Sequence, residues 1–152
     1  MPFARSHLSV LAAVAAASAL ASVRPVAAAP ERCRIVVHPS LGVRALSRFD
    51  VARLFLGKTL EWPDGTRARP VDQREGSPVR EAFNRDVLRR SAAAVKAHWQ
   101  QSVFSGRGIP PPEAPSDAAV LAHVRAEPGA IGYVSPGAPL EGVAELEVDV
   151  RE

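Results

Sequence analysis

The fold is decided by residues 70–83, which read PVDQREGSPVREAF. An apolar segment runs into a short polar loop with one glycine, and that loop passes directly into the pattern of a first helical turn. Ser77 suits the N-cap, because its hydroxyl can accept a hydrogen bond from a backbone N–H one turn on. Pro78 suits the first helical position, where its missing N–H is not needed. The stretch therefore predicts a strand, a tight loop and a helix in direct succession.

This loop allows two interpretations. A helix N-terminus presents free backbone amides and the positive end of the helix dipole, which together suit a small anion. The same residue types also make an ordinary strand-to-helix connection with a good cap. The residues of the loop by themselves leave both interpretations open.

The N-terminal segment is typical of a secretory signal peptide. Residues 8–23 form an apolar, alanine-rich run after Arg5 and His7, and small residues follow at positions 26–29. We expect cleavage after Ala28, which leaves a single mature domain at 29–152. The run is too short and too alanine-rich for a confident membrane span, although an uncleaved anchor is the alternative. We therefore expect a soluble exported protein with no stable membrane span after cleavage.

The mature chain has to fold around a core without an internal disulfide. Its 124 residues suffice for one domain. Cys33 is the single cysteine of the sequence, so it cannot form an intrachain bridge. We expect it to lie buried at the start of the first strand. No second cysteine or nearby histidine gives it the spacing of a metal site.

The charges are distributed unevenly along the chain. Residues 31–107 hold 15 basic and 8 acidic residues, whereas residues 108–152 hold 2 basic and 8 acidic residues. The mature chain is therefore close to neutral, which gives no support for nucleic-acid binding. The basic part contains the candidate anion loop, and a positive field there would recruit an anion. A solvated charged face is the alternative explanation.

The segment pattern predicts an α/β domain with a mostly parallel central sheet flanked by helices. Apolar segments predict strands at 34–38, 68–72, 130–134 and 143–150, and serines at 47, 77, 91 and 116 suit the starts of four helices. In such sheets ligands bind beyond the carboxyl ends of strands. The loops after His38, Asp72 and Val134 are therefore expected to gather at one edge.

Six motifs, taken in order, resemble one lobe of a phosphate-type periplasmic binding protein, the solute-binding subunit of ABC phosphate importers. They are VVHPS (36–40), FLGK (55–58), WPDG (62–65), the stretch 70–83, FSGRG (104–108) and PGAIGYV (128–134). The resemblance implies a Rossmann-like lobe of a type II periplasmic binding protein, located in the periplasm. Such proteins close two lobes on a dehydrated phosphate, and this chain has the length of one lobe.

The resemblance also implies an anion site at the loop. It assigns ligand contacts to Gln73, Arg74, Glu75, Gly76, Ser77, Val79 and Arg80, with Ser40 and Arg107 as accessory residues. Glu75 stands where the family has the acid that accepts the proton of the phosphate. The chain departs from the family pattern at Gln73, which replaces an arginine, and at Pro78 and Val79, which remove an amide donor and a hydroxyl. About half of the lobe's contacts to the anion are therefore expected to be retained.

Two basic residues near this loop have no obvious structural purpose in the sequence. Arg80 falls in the first helical turn, where a cation is unfavourable for the helix dipole, so it indicates a ligand or an acidic partner. Arg107 lies between two glycines, where it could reach an anion or a partner, or simply occupy an exposed turn.

The sequence thus predicts an exported single-lobe protein that binds phosphate or a similar oxyanion, in connection with ABC-type phosphate uptake or sensing. The expected partners are an ABC transporter membrane component or a second copy of the chain, and no cofactor or metal is expected. The alternative is a protein–protein interaction module that keeps the fold and has lost the ligand. The histidines of the mature chain, at 38, 98 and 123, are scattered and none pairs with Ser77, so we do not expect an enzyme.

Overall fold

A computed structural model describes residues 32–149 of the chain. The expected signal peptide, its cleavage site and Val150 lie outside the described residues. The elements in chain order are β1 (Arg34–Val37), β2 (Ala45–Ser47), α1 (Arg48–Phe55), β3 (Arg69–Pro70), β4 (Asp72–Gln73), α2 (Pro78–Phe83), a π-helical segment (Asn84–Leu88), α3 (Ala92–Phe104), β5 (Glu113–Ala114), α4 (Asp117–Ala126), β6 (Ala130–Val134) and β7 (Ala144–Asp149).

The central sheet has five strands in the order β2-β7-β1-β6-β3. β1 pairs antiparallel with β6 and β7, whereas β2 is parallel to β7 and β3 is parallel to β6. Four strands therefore share one direction, and β1 alone runs the other way. The predicted α/β class with a helix-flanked central sheet is confirmed. The sheet was predicted to be mostly parallel and is mixed, with two parallel and two antiparallel pairings among its five strands.

Both faces of the sheet are covered. Ile35 and Val37 of β1 belong to the larger core cluster, which includes buried residues of α1, α2 and α3. Val36, between them, belongs to a second cluster with Val120 and Val124 of α4. Successive side chains of a strand point to opposite faces, so the continuous apolar run of β1 is buried on both sides, which is typical of such a run.

The four predicted serine caps are all present. The hydroxyl oxygens of Ser47, Ser77, Ser91 and Ser116 accept from the backbone N–H groups of Asp50, Arg80, Ala94 and Ala119, respectively. Gly57 follows α1 with φ of +67°, a left-handed conformation that glycine adopts readily.

Two element boundaries differ from the prediction. The segment predicted as one strand at 68–72 changes partners in its course: Val71 N–H donates to Ile131 of β6, and Asp72 N–H donates to Pro112 beside β5. The chain thus forms two short strands, β3 and β4. The helix predicted to start at Ser77 is α-helical only as far as Phe83 and continues as one π-helical turn.

The reversed direction of β1 decides which loops meet. The backbone N–H of His38, just after β1, donates to the carbonyl of Ala130 at the beginning of β6, at 3.0 Å. The loop that contains Ser40 therefore lies at the opposite end of β6 from Val134. The expectation that three loops gather at one edge is wrong for this loop, because β1 is antiparallel to β6. The loops after β4 and β6 do meet.

Candidate oxyanion site

The loop between β4 and α2 has the tight geometry that its sequence predicts. Gly76 adopts φ of +78°, and the N–H of Ser77 donates to the carbonyl of Arg74 at 3.3 Å. The Ser77 hydroxyl then accepts from the N–H of Arg80 at 3.2 Å. The side chain of Ser77 is buried, and the hydrogen bond that its hydroxyl accepts is that of a helix N-cap.

Few backbone donors remain free at the start of α2. Pro78 has no N–H, that of Arg80 is capped by Ser77, and that of Glu81 donates to the carbonyl of Ser77 at 3.1 Å. The N–H of Val79 has no hydrogen-bond partner among the described residues. The N-terminus of α2 therefore offers an anion one free backbone donor. A helix N-terminus whose N–H groups are not already engaged offers several.

Arg80 is held by protein groups. Its Nη1 donates to the Gln73 carbonyl at 2.7 Å and to Oε1 of Glu113 at 2.5 Å. Its Nη2 lies 3.1 Å from Oδ2 of Asp72. Burial opposes the charged guanidinium, but the contacts with Glu113 and Asp72 outweigh it and raise the pKa of Arg80. Two carboxylates thus compensate its charge, which explains a cation in this helical turn.

Tyr133 contacts Asp72, one of the two carboxylates that pair with Arg80. The Tyr133 hydroxyl donates to Oδ1 of Asp72, which also accepts the N–H of Gln73 at 2.9 Å. Burial raises the pKa of Asp72, although Tyr133 and Arg80 oppose that shift. Burial, followed by the charge of Asp72, raises the pKa of Tyr133 as well. The tyrosine ring stacks on Phe83 of α2 at a centroid distance of 4.0 Å, which anchors the network in the core.

Gln73 points into the protein. Its side chain is buried, and Nε2 donates to Oδ1 of Asp117 at 2.7 Å and to the carbonyl of Tyr133 at 3.2 Å. Oδ1 of Asp117 also accepts the N–H of Ser135 at 3.2 Å. At the position where the resembled family has an arginine, this chain has a side chain that joins β4, α4 and the end of β6.

Arg74, Glu75 and Gly76 form the exposed part of the loop. Oε1 of Glu75 lies 3.8 Å from Nζ of Lys96, a loose ion pair. The guanidinium of Arg74 has no partner among the described residues. Arg74 is therefore the uncompensated cation of the loop.

The two accessory residues lie elsewhere. Ser40 is hydrogen-bonded to Nδ1 of His38 at 2.7 Å, in the loop after β1. Arg107 donates from Nε to the Ser105 hydroxyl at 2.8 Å, and it lines a different concavity from the one that Glu75 and Arg80 line. Seven of the predicted site residues thus belong to the Gln73–Arg80 segment, and Ser40 and Arg107 lie outside it.

The sequence prediction missed the polar network of Asp72, Glu113, Asp117 and Tyr133, in which Asp72 and Tyr133 are buried and Glu113 is exposed. The available signal was the occurrence of Asp72 and Tyr133 within apolar segments, because a polar group in such a segment needs a partner when it is buried. Their partners are far away along the chain, so the sequence pattern did not identify them.

The described chain has the fold of a lobe of phosphate-type solute-binding proteins. A phosphate ABC transporter substrate-binding protein from Clostridium perfringens, solved with bound phosphate, matches with a TM-score of 0.64 and 19% identity, over 80% of this chain and 46% of that one. An ABC-type phosphate transport receptor from Vibrio cholerae matches with a TM-score of 0.63 and 16% identity, over 80% and 48% of the two chains. PstS from Borrelia burgdorferi matches with a TM-score of 0.62 and 13% identity, over 78% and 47%.

These likenesses confirm the fold that the motifs predict. The chain spans about half the length of each of these solved structures. The three are named for phosphate transport or substrate binding, and none is named as an enzyme. No protein-family model and no curated protein matches the sequence.

Residues 32–149 contain neither a metal-binding cluster nor a membrane-spanning helix. In that range no three His, Cys, Asp or Glu side chains are grouped so that they could hold a metal ion. No helix in the same range has the length and apolar character needed to cross a membrane.

Proposed function

We propose that the chain is an exported single-lobe solute-binding protein that binds phosphate or a similar oxyanion at the Gln73–Arg80 loop. In this proposal it is not an enzyme, and it serves ABC-type phosphate uptake or sensing in the periplasm. The fold shared with solved phosphate receptors supports this function. So does the position of the loop at the start of a capped helix.

The observation that carries the proposal is the pair of unused donors at this loop. The Arg74 guanidinium and the Val79 N–H both lack partners among the described residues, and both belong to the turn that enters α2. Arg80 contributes to the geometry of the loop but adds no net positive charge, because Asp72 and Glu113 compensate its charge. Two charge-assisted hydrogen bonds of roughly 2 kcal/mol each correspond to a Kd on the order of 1 mM. Weak binding is therefore the expected behaviour of the lobe.

The test is a titration of residues 29–152 with phosphate, with sulfate at matched ionic strength as the comparison. We expect saturable movement of the Val79 amide signal in 1H–15N NMR spectra. Glu75 repels a fully ionised anion unless a proton is shared, so phosphate is expected to bind more tightly than sulfate. Arg74→Ala should raise the Kd about 30-fold, because it removes one of the two donors. The matched control Arg90→Ala should retain the response, because Arg90 is an exposed arginine outside the loop. An unchanged response in Arg74→Ala would contradict the site.

A second candidate function is a protein–protein interaction module. It is favoured by the full compensation of Arg80 and by exposed apolar side chains on α3 and the loop that follows it. A folded protein with no Val79 response to either anion would favour this function over oxyanion binding.

A further inference from the structure

The end of α3 and the following loop expose an apolar ridge. Val103 is 52% exposed, Phe104 is 95% exposed and Ile109 is 81% exposed. Single exposed apolar residues are ordinary on protein surfaces. Three within seven positions, followed by three prolines, form a patch of the kind that marks a binding surface.

A groove lies on each side of this ridge. The acidic groove is a concavity of about 520 Å³ whose apolar lining includes Val95, Trp99 and Phe104. The basic groove is a concavity of about 500 Å³ whose apolar lining includes Leu60, Trp99 and Ile109. Trp99 and Pro110 line both grooves, so the two adjoin along the ridge.

The acidic groove carries an uncompensated negative charge. Its carboxylates are Glu75, Glu81 and Glu113, and its cations are Arg80 and Lys96. Arg80 pairs with Glu113, and Lys96 lies near Glu75. The carboxylate of Glu81 has no partner in the described part of the chain, so it gives this groove its net sign.

The basic groove carries uncompensated positive charges. Its arginines are Arg67, Arg69 and Arg107, and its carboxylate is Glu127. Arg69 pairs with Glu127 at 3.5 Å, and the guanidinium of Arg107 donates a hydrogen bond to the Ser105 hydroxyl and has no ion-pair partner among the described residues. Arg67 has no ion-pair partner in the same range. The two adjoining grooves therefore present free charges of opposite sign.

We propose that this face binds a second copy of the same chain. A two-fold axis parallel to the ridge would set the two apolar ridges side by side and bring the acidic groove of each copy towards the basic groove of the other. Such self-complementarity is what an isologous interface requires. This inference deepens the second candidate function by naming its partner.

The experiment is sedimentation velocity on the full chain and on residues 29–152, from about 1 to 500 μM. Both should form a reversible dimer. Phe104→Ser should raise the dimer Kd at least tenfold, since it removes an exposed side chain at the centre of the ridge. Glu81→Arg and Arg107→Glu should each weaken the dimer at least tenfold, and the double variant should restore most of the affinity. Glu141→Arg, a charge change on an exposed residue outside both grooves, should leave the Kd unchanged.

Three outcomes would overturn the proposal. They are a monomer at every concentration, a dimer that all three variants leave intact, and a dimer that the full chain forms but residues 29–152 do not. Circular dichroism of each variant checks that its fold is retained. Phosphate titration of Phe104→Ser reports on the anion loop separately, because Phe104 lies outside that loop, so failure of one proposal is distinguishable from failure of the other.

Discussion

The guanidinium of Arg80 lies 3.1 Å from the carboxylate of Asp72, and both side chains are largely buried. Removal of one partner from such a pair leaves a buried charge unpaired, which costs about 3–5 kcal/mol. We expect Arg80→Met to lower the free energy of unfolding by about 3 kcal/mol at pH 7, measured by urea denaturation. The double variant with Asp72→Asn should recover most of this loss, because a neutral amide needs no cation.

The stability of the Arg80→Met variant should depend on pH. Burial raises the pKa of Asp72 above its value in the unfolded chain, so the folded state holds the proton more tightly. Stability then rises as pH falls through the folded-state pKa. In Arg80→Met the arginine no longer opposes the rise in the pKa of Asp72. The difference in free energy of unfolding between this variant and the parent chain should therefore shrink steadily as the pH falls. A loss that stays constant down to about pH 4 would contradict a charged Asp72 as its cause.

Gly132 of β6 is predicted to tolerate no side chain. A Cβ at this position would lie 2.6 Å from Cγ1 of Val120 on α4 and 2.9 Å from Cγ1 of Val71. Gly132→Ala should therefore cost about 1–3 kcal/mol of stability through overpacking, measured by thermal or urea unfolding. Gly137→Ala is the matched control, because no atom lies within 4 Å of its Cβ position. Equal effects of the two substitutions would contradict the close packing of α4 on β6.

The Arg34–Glu145 pair should make stability depend on pH. Nε and Nη2 of Arg34 donate to the two oxygens of Glu145 at 2.8 and 2.6 Å, which joins β1 to β7. The hydrogen bonds from Arg34 lower the pKa of Glu145. The stabilisation is therefore complete above the unfolded value of about 4.3 and is lost as pH falls through the folded value.

Glu145→Gln should accordingly lower the Tm at pH 7 and converge with the parent chain as the pH is lowered toward 2. The neighbouring Glu147→Gln is the control, since Glu147 has no ion-pair partner among the described residues. A difference that persists at acid pH would assign the effect to packing instead of charge.

Cys33 should be an unreactive thiol in the folded protein. Cys33 is half-buried and directly precedes β1, so it is less buried than the sequence predicts. Desolvation, with a smaller contribution from the charge of Asp86, raises the pKa of its thiol to about 12. The thiolate is the reactive form, so alkylation at pH 8 should be slower in the folded chain than in urea by at least about 100-fold. Mass spectrometry after timed iodoacetamide treatment measures this ratio. Comparable rates in the two states would show that the thiol is accessible.

Local chemistry accounts for the features that the sequence predicts well. The Ser77 cap and the turn at Gly76 depend on residues within a few positions of one another, so their pattern is visible in the chain. The contact between Arg80 and Glu113 is not local in the sequence, so no short pattern indicates it. Glu113 lies 33 positions away, on a strand of two residues that has no periodic signature. The sequence therefore pointed to a ligand or an acidic partner for Arg80 and did not reveal that the partner is internal.

The direction of β1 was hidden for a similar reason. A run buried on both faces indicates a central strand, but its residues do not encode which way it runs relative to its neighbours. That direction follows from where the chain goes afterwards, through Leu41 and Arg44 into β2 at the edge of the sheet. The resemblance gave Ser40 as an accessory residue of the anion site, and the reversal of β1 places it at the other end of β6.

The position of β7 has a consequence for how the protein is made. β7 follows every other element of the described chain, yet it lies inside the sheet, where it joins β2 to β1. The sheet cannot close until this segment has left the ribosome, because pairing between distant segments must wait for the later one. A chain that is exported as proposed would thus remain open and competent for translocation while it is synthesised, and would complete its fold only on the far side of the membrane.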